Sequence, residues 1–242
     1  MKTKTFLCLL SLFAVSCSNS TTNNGGPQNT TVMQWKVGSR TTIVTTPRDT
    51  SSNDFDMELS SHDTIIRTIV STHQTFMGRS NVTIYQDSFP ATPGIVSNGY
   101  MSQDNDGTVW IFSYGENAWI DYFNKKFIDA IGWVKCYDPA SVEWNSEFDI
   151  GPYESSDHTF VNYSETLQPD DTVSVNGKTY TAKHVLYTMT TSTAGYASFF
   201  TVFADSYLVF QLGMPAIEID HSFHDWVQQA HFGLTTRVSQ TQ

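Results

Sequence analysis

The chain has 242 residues, of which 39% are hydrophobic, 14% aromatic and only 15% charged. That is enough for one good core, and too little charge to keep the chain unfolded by self-repulsion. The formal net charge is −11, and an acidic surface repels phosphate backbones, which argues against nucleic acid as a partner.

Residues 1–16 read as a signal peptide: a basic start with Lys2 and Lys4, an apolar run from Phe6 to Val15, and small residues before Cys17. The run is about half of the roughly 20 residues that cross a bilayer, so it predicts a leader and not an anchor helix. The ending Ala14-Val15-Ser16-Cys17 resembles the lipobox of bacterial lipoproteins, although that family prefers Leu where Ala14 stands. The resemblance implies cleavage before Cys17 and its acylation, a palmitate-type lipid anchor. The alternative is an ordinary secretory signal cut near Ser16 or Ser18. Cys8 would leave with the leader and Cys136 would be the remaining thiol, so no intrachain disulfide is expected.

Residues 18–31 hold no charge and no large apolar side chain, a composition that cannot offset the entropy of ordering. Residues 17–32 are therefore expected to be a lipidated cysteine and tether, and 33–242 a single β-rich domain. From there, β-branched and aromatic runs alternate with turn signals: 34–46, 63–76, 81–86, 107–115, 127–137, 179–192, 196–204 and 206–214 read as strands. Asp106-Gly107, Asn176-Gly177 and Ala194-Gly195 read as tight reversals, and Asp205-Ser206 as a short polar corner. The Asn-Gly pair between two alternating runs is the strongest hairpin signal. Short turns between consecutive strands predict an antiparallel meander.

Near the C-terminus, Ser222 offers an N-cap with Asp225 three places on. Phe223, Trp226, Val227 and Ala230 share a face and Gly233 is a stop, so this stretch predicts a short helix. The fold class expected is mainly β: one antiparallel curved sheet or half-barrel with a short C-terminal helix.

The densest polar cluster is Asp220, His221, His224, Asp225 and His231. On a helix, His224 and His231 would lie two turns and about 10 Å apart, too far to share one zinc ion, so a solvated face is the better reading. A metal-assisted hydrolase using these histidines is kept as the enzyme alternative. Residues 104–107, Asp-Asn-Asp-Gly, have alternating carboxylates like the start of a calcium loop. They lack its later ligands and sit where a hairpin turn is expected. No nucleophile elbow, phosphate loop or dinucleotide fingerprint occurs, and no catalytic residue or cofactor is expected. Trp110, Trp119, Trp133 and Trp144 cluster in mid-chain with Phe112, Tyr114, Tyr122 and Tyr137; they either fill a β-core or stack on sugars in a glycan-binding module.

A lipobox, a polar tether and one β-rich domain together resemble a class of bacterial lipoproteins. The hairpin VNGKTYTAKHV (175–185) and the strand YLVFQLGMPAIEI (207–219) are similar to the half-barrel of lipoprotein carriers, a curved sheet closed on one side by a helix. That resemblance implies an apolar concavity for an acyl chain or another amphipathic ligand. Pro215 departs from it, because its missing N–H suggests a sheet edge or a bend. The expectation is a non-enzymatic outer-membrane lipoprotein, tethered through Cys17, that binds an apolar ligand or an envelope partner.

Overall fold

The computed structural model describes residues 32–48, 58, 60–113, 132–150, 159–193, 200–224 and 230–241. Cys17, the leader, most of the tether, Trp119, Tyr114, Tyr122 and the Ala194-Gly195 turn lie outside the described residues.

The strands, in chain order, are β1 (Arg40–Pro47), β2 (Asp63–Phe76), β3 (Arg79–Ser88), β4 (Val96–Gln103), β5 (Val109–Ser113), β6 (Gly132–Tyr137), β7 (Glu143–Ile150), β8 (Thr159–Leu167), β9 (Asp171–Val175), β10 (Lys178–Thr193), β11 (Phe200–Val209), β12 (Met214–His224) and β13 (Ala230–Thr241). They make one antiparallel sheet. β1 to β6 follow one another as a meander, β1 turns to pair with β13, and the order continues through β12, β11, β10 and β8 to β7. The two ends of that path, β6 and β7, meet across a seam, so the sheet curls into a nearly closed barrel rather than a half-barrel.

Alternation along the strands sorts side chains between interior and exterior. In β11, Val202, Ala204, Ser206 and Leu208 are buried while Phe203 is exposed. Asp205-Ser206, expected to be a corner, instead lies within this strand. Asp205 faces outward to His184, whose Nε2 is 2.8 Å from its Oδ1, and Ser206 faces inward beside Glu218. Both polar groups have partners, so neither interrupts the ladder.

The expected C-terminal helix is absent from the described part of its stretch. Ser222 to His224 end β12 and Ala230 to Gly233 open β13, paired to each other; Asp225 to Gln229 lie outside the described residues. No helix occurs among the described residues of this stretch, whose backbone is taken up by the β12–β13 pairing. Pro215 marks a bend and not an edge: it stands at the start of β12, next to a register shift opposite Leu208. A bulge of this kind tolerates the missing N–H.

The predicted hairpin is present. Asn176 and Gly177 connect β9 to β10 with φ of 50° and 74°, the left-handed pair that a two-residue reversal needs. This hairpin buries Val173, Val175, Tyr180 and Ala182 against Ile43, Ala216 and Val238. At one barrel end the segment before β1 runs across the opening as a strap. Gln34 donates to the Phe210 carbonyl at 3.0 Å and Gly38 to that of Ile69 at 2.8 Å. Met33 thereby joins the main core of Ile69, Tyr85, Met101, Val109, Trp144, Leu208 and Phe210.

Candidate functional site

Inside the barrel, opposite residues of β2 and β3 place Arg67 against Asp87. Two parallel contacts join them, Nε to Oδ1 at 2.8 Å and Nη2 to Oδ2 at 2.7 Å. The guanidinium also lies 3.9 Å from the centre of the Tyr85 ring. Burial works against the charge on Arg67, but Tyr85, Asp87 and Glu218 outweigh it and raise its pKa. Tyr85 is itself accommodated by Gly99 on β4, where an added Cβ would fall 2.0 Å from the ring.

Two carboxyls share this interior. Glu218 accepts from Ser206 Oγ at 3.4 Å and from Tyr187, and burial raises its pKa. Glu165, opposite Trp144 on β7 and Tyr187 on β10, is 2% exposed, and its Oε2 has no hydrogen-bond partner among the described residues. Burial pushes it up to about 8, with Lys135 pulling the other way. Burial, followed by Glu165 and Glu218, pushes the Cys136 thiol up to about 12. That makes Cys136 a poorly reactive thiol, partly buried against the main core. An interior holding an ion pair and two carboxyls differs from the apolar concavity implied by the half-barrel resemblance.

The cleft formed by described residues lies at the strap end, with a volume of about 440 Å³. Its apolar lining is Val32, Met33 and Trp35; its polar lining comes from Thr72, His73, Asn81, Thr83, Gln103 and the 104–107 turn. Hydrogen bonds fix members of both sets. Trp35 Nε1 donates to the Gly213 carbonyl at 2.8 Å, and the Met33 amide donates to Gln103 Oε1 at 2.8 Å. His73 Nδ1 is 2.6 Å from Asn81 Oδ1, an oxygen that can only accept, so that ring nitrogen carries the proton. His73 and Asn81 both have left-handed backbone, φ 58° and 60°, at the irregular register of β2 and β3. Such conformations in non-glycine residues cost energy and concentrate at binding surfaces.

The Asp-Asn-Asp-Gly stretch is the expected turn. Asp104 accepts from Arg79 at 2.7 Å and from Trp110 Nε1 at 2.8 Å, while Asp106 accepts the Thr108 amide at 2.9 Å, which lowers its pKa. Both carboxylates hold the turn, and no cluster of metal-ligating side chains occurs among the described residues. His221 and His224 stand in β12 and His231 in β13, opposite Phe223.

The tryptophans are divided. Trp144 faces the interior and donates to the Lys135 carbonyl at 2.8 Å. Trp110 and Trp133 share the outer face, where Arg79 covers the Trp110 ring at 4.0 Å and Trp133 donates to the Met77 carbonyl at 3.2 Å. Trp133 also packs edge-on against Phe112, at 5.3 Å. Their indole N–H groups and the Trp110 face are thus engaged within the protein, which favours packing over sugar stacking. The cleft was not read from sequence: its residues are far apart in the chain, and nothing local marks His73 or Asn81.

No family model matches the chain, and no curated protein is significantly similar to it. Among solved structures, an exported protein with a YmcC-like fold from Bacteroides fragilis is similar in fold. It has 9% sequence identity and a TM-score of 0.44, over 87% of this chain and 98% of that one.

Proposed function

We propose that the chain is a non-enzymatic binding protein of the bacterial cell envelope, held in the outer membrane by acylated Cys17, that takes an amphipathic ligand in the strap-end cleft. The observation behind this reading is the mixed lining, with Val32, Met33 and Trp35 beside Thr72, His73, Asn81 and Gln103. An apolar wall with a few convergent polar groups is the usual make-up of a small-molecule site. Val32, the last residue of the segment read as a tether, lines the cleft. Burial of about 0.8 kcal/mol per CH₂ makes several acyl chains an effectively permanent anchor. Ser18 follows the cysteine; in the lipoproteins that the leader resembles, Asp there signals inner-membrane retention, so Ser18 favours the outer membrane.

Two measurements test the two halves of the proposal. Cys17→Ala should move the full chain from the membrane to the soluble fraction; unchanged fractionation would end the anchor reading. Native mass spectrometry of that released protein should find a co-purifying small molecule that is lost in the Trp35→Ala and Asn81→Ala variants. A bare mass for the released Cys17→Ala protein, or an adduct that both cleft variants retain, would remove the cleft as the site.

A further inference from the structure

The barrel wall is not uniform. Among the described residues β6 is laddered to β5 and β7 to β8, and no ladder joins β6 to β7. Side chains close the gap instead. Trp144 of β7 donates its indole N–H to the Lys135 carbonyl of β6 at 2.8 Å, and the Phe148 ring lies so close to Gly132 that an added Cβ would be 2.8 Å from it. Behind them, Val134 packs on Val161 and Tyr163.

Glu165 stands directly behind this seam, as the register partner of Trp144. Its Oε2 is buried without a partner among the described residues, an arrangement tolerable for a neutral acid and costly for a carboxylate. The groups around it compensate that cost only in part. From β6 come the Cys136 thiol and Lys135, and the Lys135 ammonium is held by Asp138 at 2.7 Å. From β12 comes Glu218, another carboxyl, to which β10 contributes the Tyr187 hydroxyl. The Arg67 of β2 is committed to Asp87 of β3 through both of its carboxylate contacts.

We propose that Glu165 is a proton-operated latch on the β6–β7 seam: as the neutral acid it allows β7 and β8 to close against β6, and its loss of a proton releases that closure so that the carboxylate reaches water. The step is a plain ionisation, with the proton leaving to solvent. The seam is where it takes effect, because β7 there is held to β6 by side chains alone, whereas the walls formed by β8, β10 and β12 are laddered on both sides. The elevated proton affinity of Glu165 sets the range, from its ordinary value of 4.5 up to about 8.

Amide hydrogen exchange of the full chain, corrected for intrinsic rates, tests this at pH 6, 7, 8 and 9. The expected result is that protection in β6 and β7 falls by up to about tenfold per pH unit to pH 8 and then levels off, while β2, β3 and β12 change little. Glu165→Gln, which keeps the size and polarity of the neutral acid, should hold β6 and β7 flat across the range. A β6–β7 response that persists in Glu165→Gln overturns the proposal. So does wild-type protection that is independent of pH, or a loss spread evenly over all strands. The last two outcomes are read on the wild type, so they stand even if the variant fails to fold.

Discussion

Arg67 and Asp87 face each other across β2 and β3 inside the barrel, joined by two contacts of 2.8 and 2.7 Å. Such a pair contributes little net stability compared with apolar residues of the same shape, but removing one partner strands a buried charge. Asp87→Ala should therefore destabilise the protein by about 3–5 kcal/mol. The double variant Arg67→Met, Asp87→Leu should be markedly less affected than Asp87→Ala alone. Midpoints of urea unfolding for the three proteins decide it; a double variant as weak as the single one would mean that the pair is worth its full attraction.

Gly99 is required by a neighbour and not by its backbone. A methyl group there would sit 2.0 Å from the Tyr85 ring, and the ring is held from its other side by Arg67. Gly99→Ala should cost about 1–3 kcal/mol, the usual range for overpacking a filled core. Tyr85→Leu in the same chain should return part of that loss. Denaturant midpoints of the single and double variants would expose the coupling, and strictly additive effects would contradict it.

Gly177 presents the opposite case. Nothing lies within 4 Å of an added Cβ, but its φ is +74°, so Gly177→Ala meets only backbone strain. The expected loss is about 1 kcal/mol, visible as a modest drop in thermal midpoint. A larger fall would mean that the β9–β10 hairpin is held more by the turn than by its packing on Ile43, Ala216 and Val238.

These cases mark what local sequence can reveal. The Asn176-Gly177 turn was legible because two adjacent residues carry its whole requirement. The fit of Gly99 to Tyr85 was not, since only the β3–β4 register brings them together. At the C-terminus, the described ends of the stretch with helical spacing, 222–224 and 230–233, belong to strands β12 and β13 and pair in register, Phe223 opposite His231. β7 was missed because its interior residues Trp144 and Phe148 alternate with Asn145, Glu147 and Asp149, so the stretch looks polar. Glu165 carries no local mark either; an acidic residue in a Thr- and Ser-rich strand usually faces water. Its burial follows from standing between Trp144 and Tyr187 in the assembled sheet.

The same residue gives the overall stability a direction with pH. Folding raises Glu165 from 4.5 to about 8, so between those values the folded chain binds a proton that the unfolded chain has released. Its contribution is therefore fully present below pH 4.5 and is lost as pH rises toward 8. The slope is about 1.4 kcal/mol per pH unit, and it flattens above 8. Glu165→Gln lacks the titrating group and should show no such slope, so its advantage over the wild type should grow from pH 5 to pH 8. Urea unfolding at half-unit steps across that range measures the difference directly, because other groups titrate alike in both proteins and cancel. A constant difference between wild type and Glu165→Gln would mean that the carboxyl is ionised, or solvated, in the folded barrel.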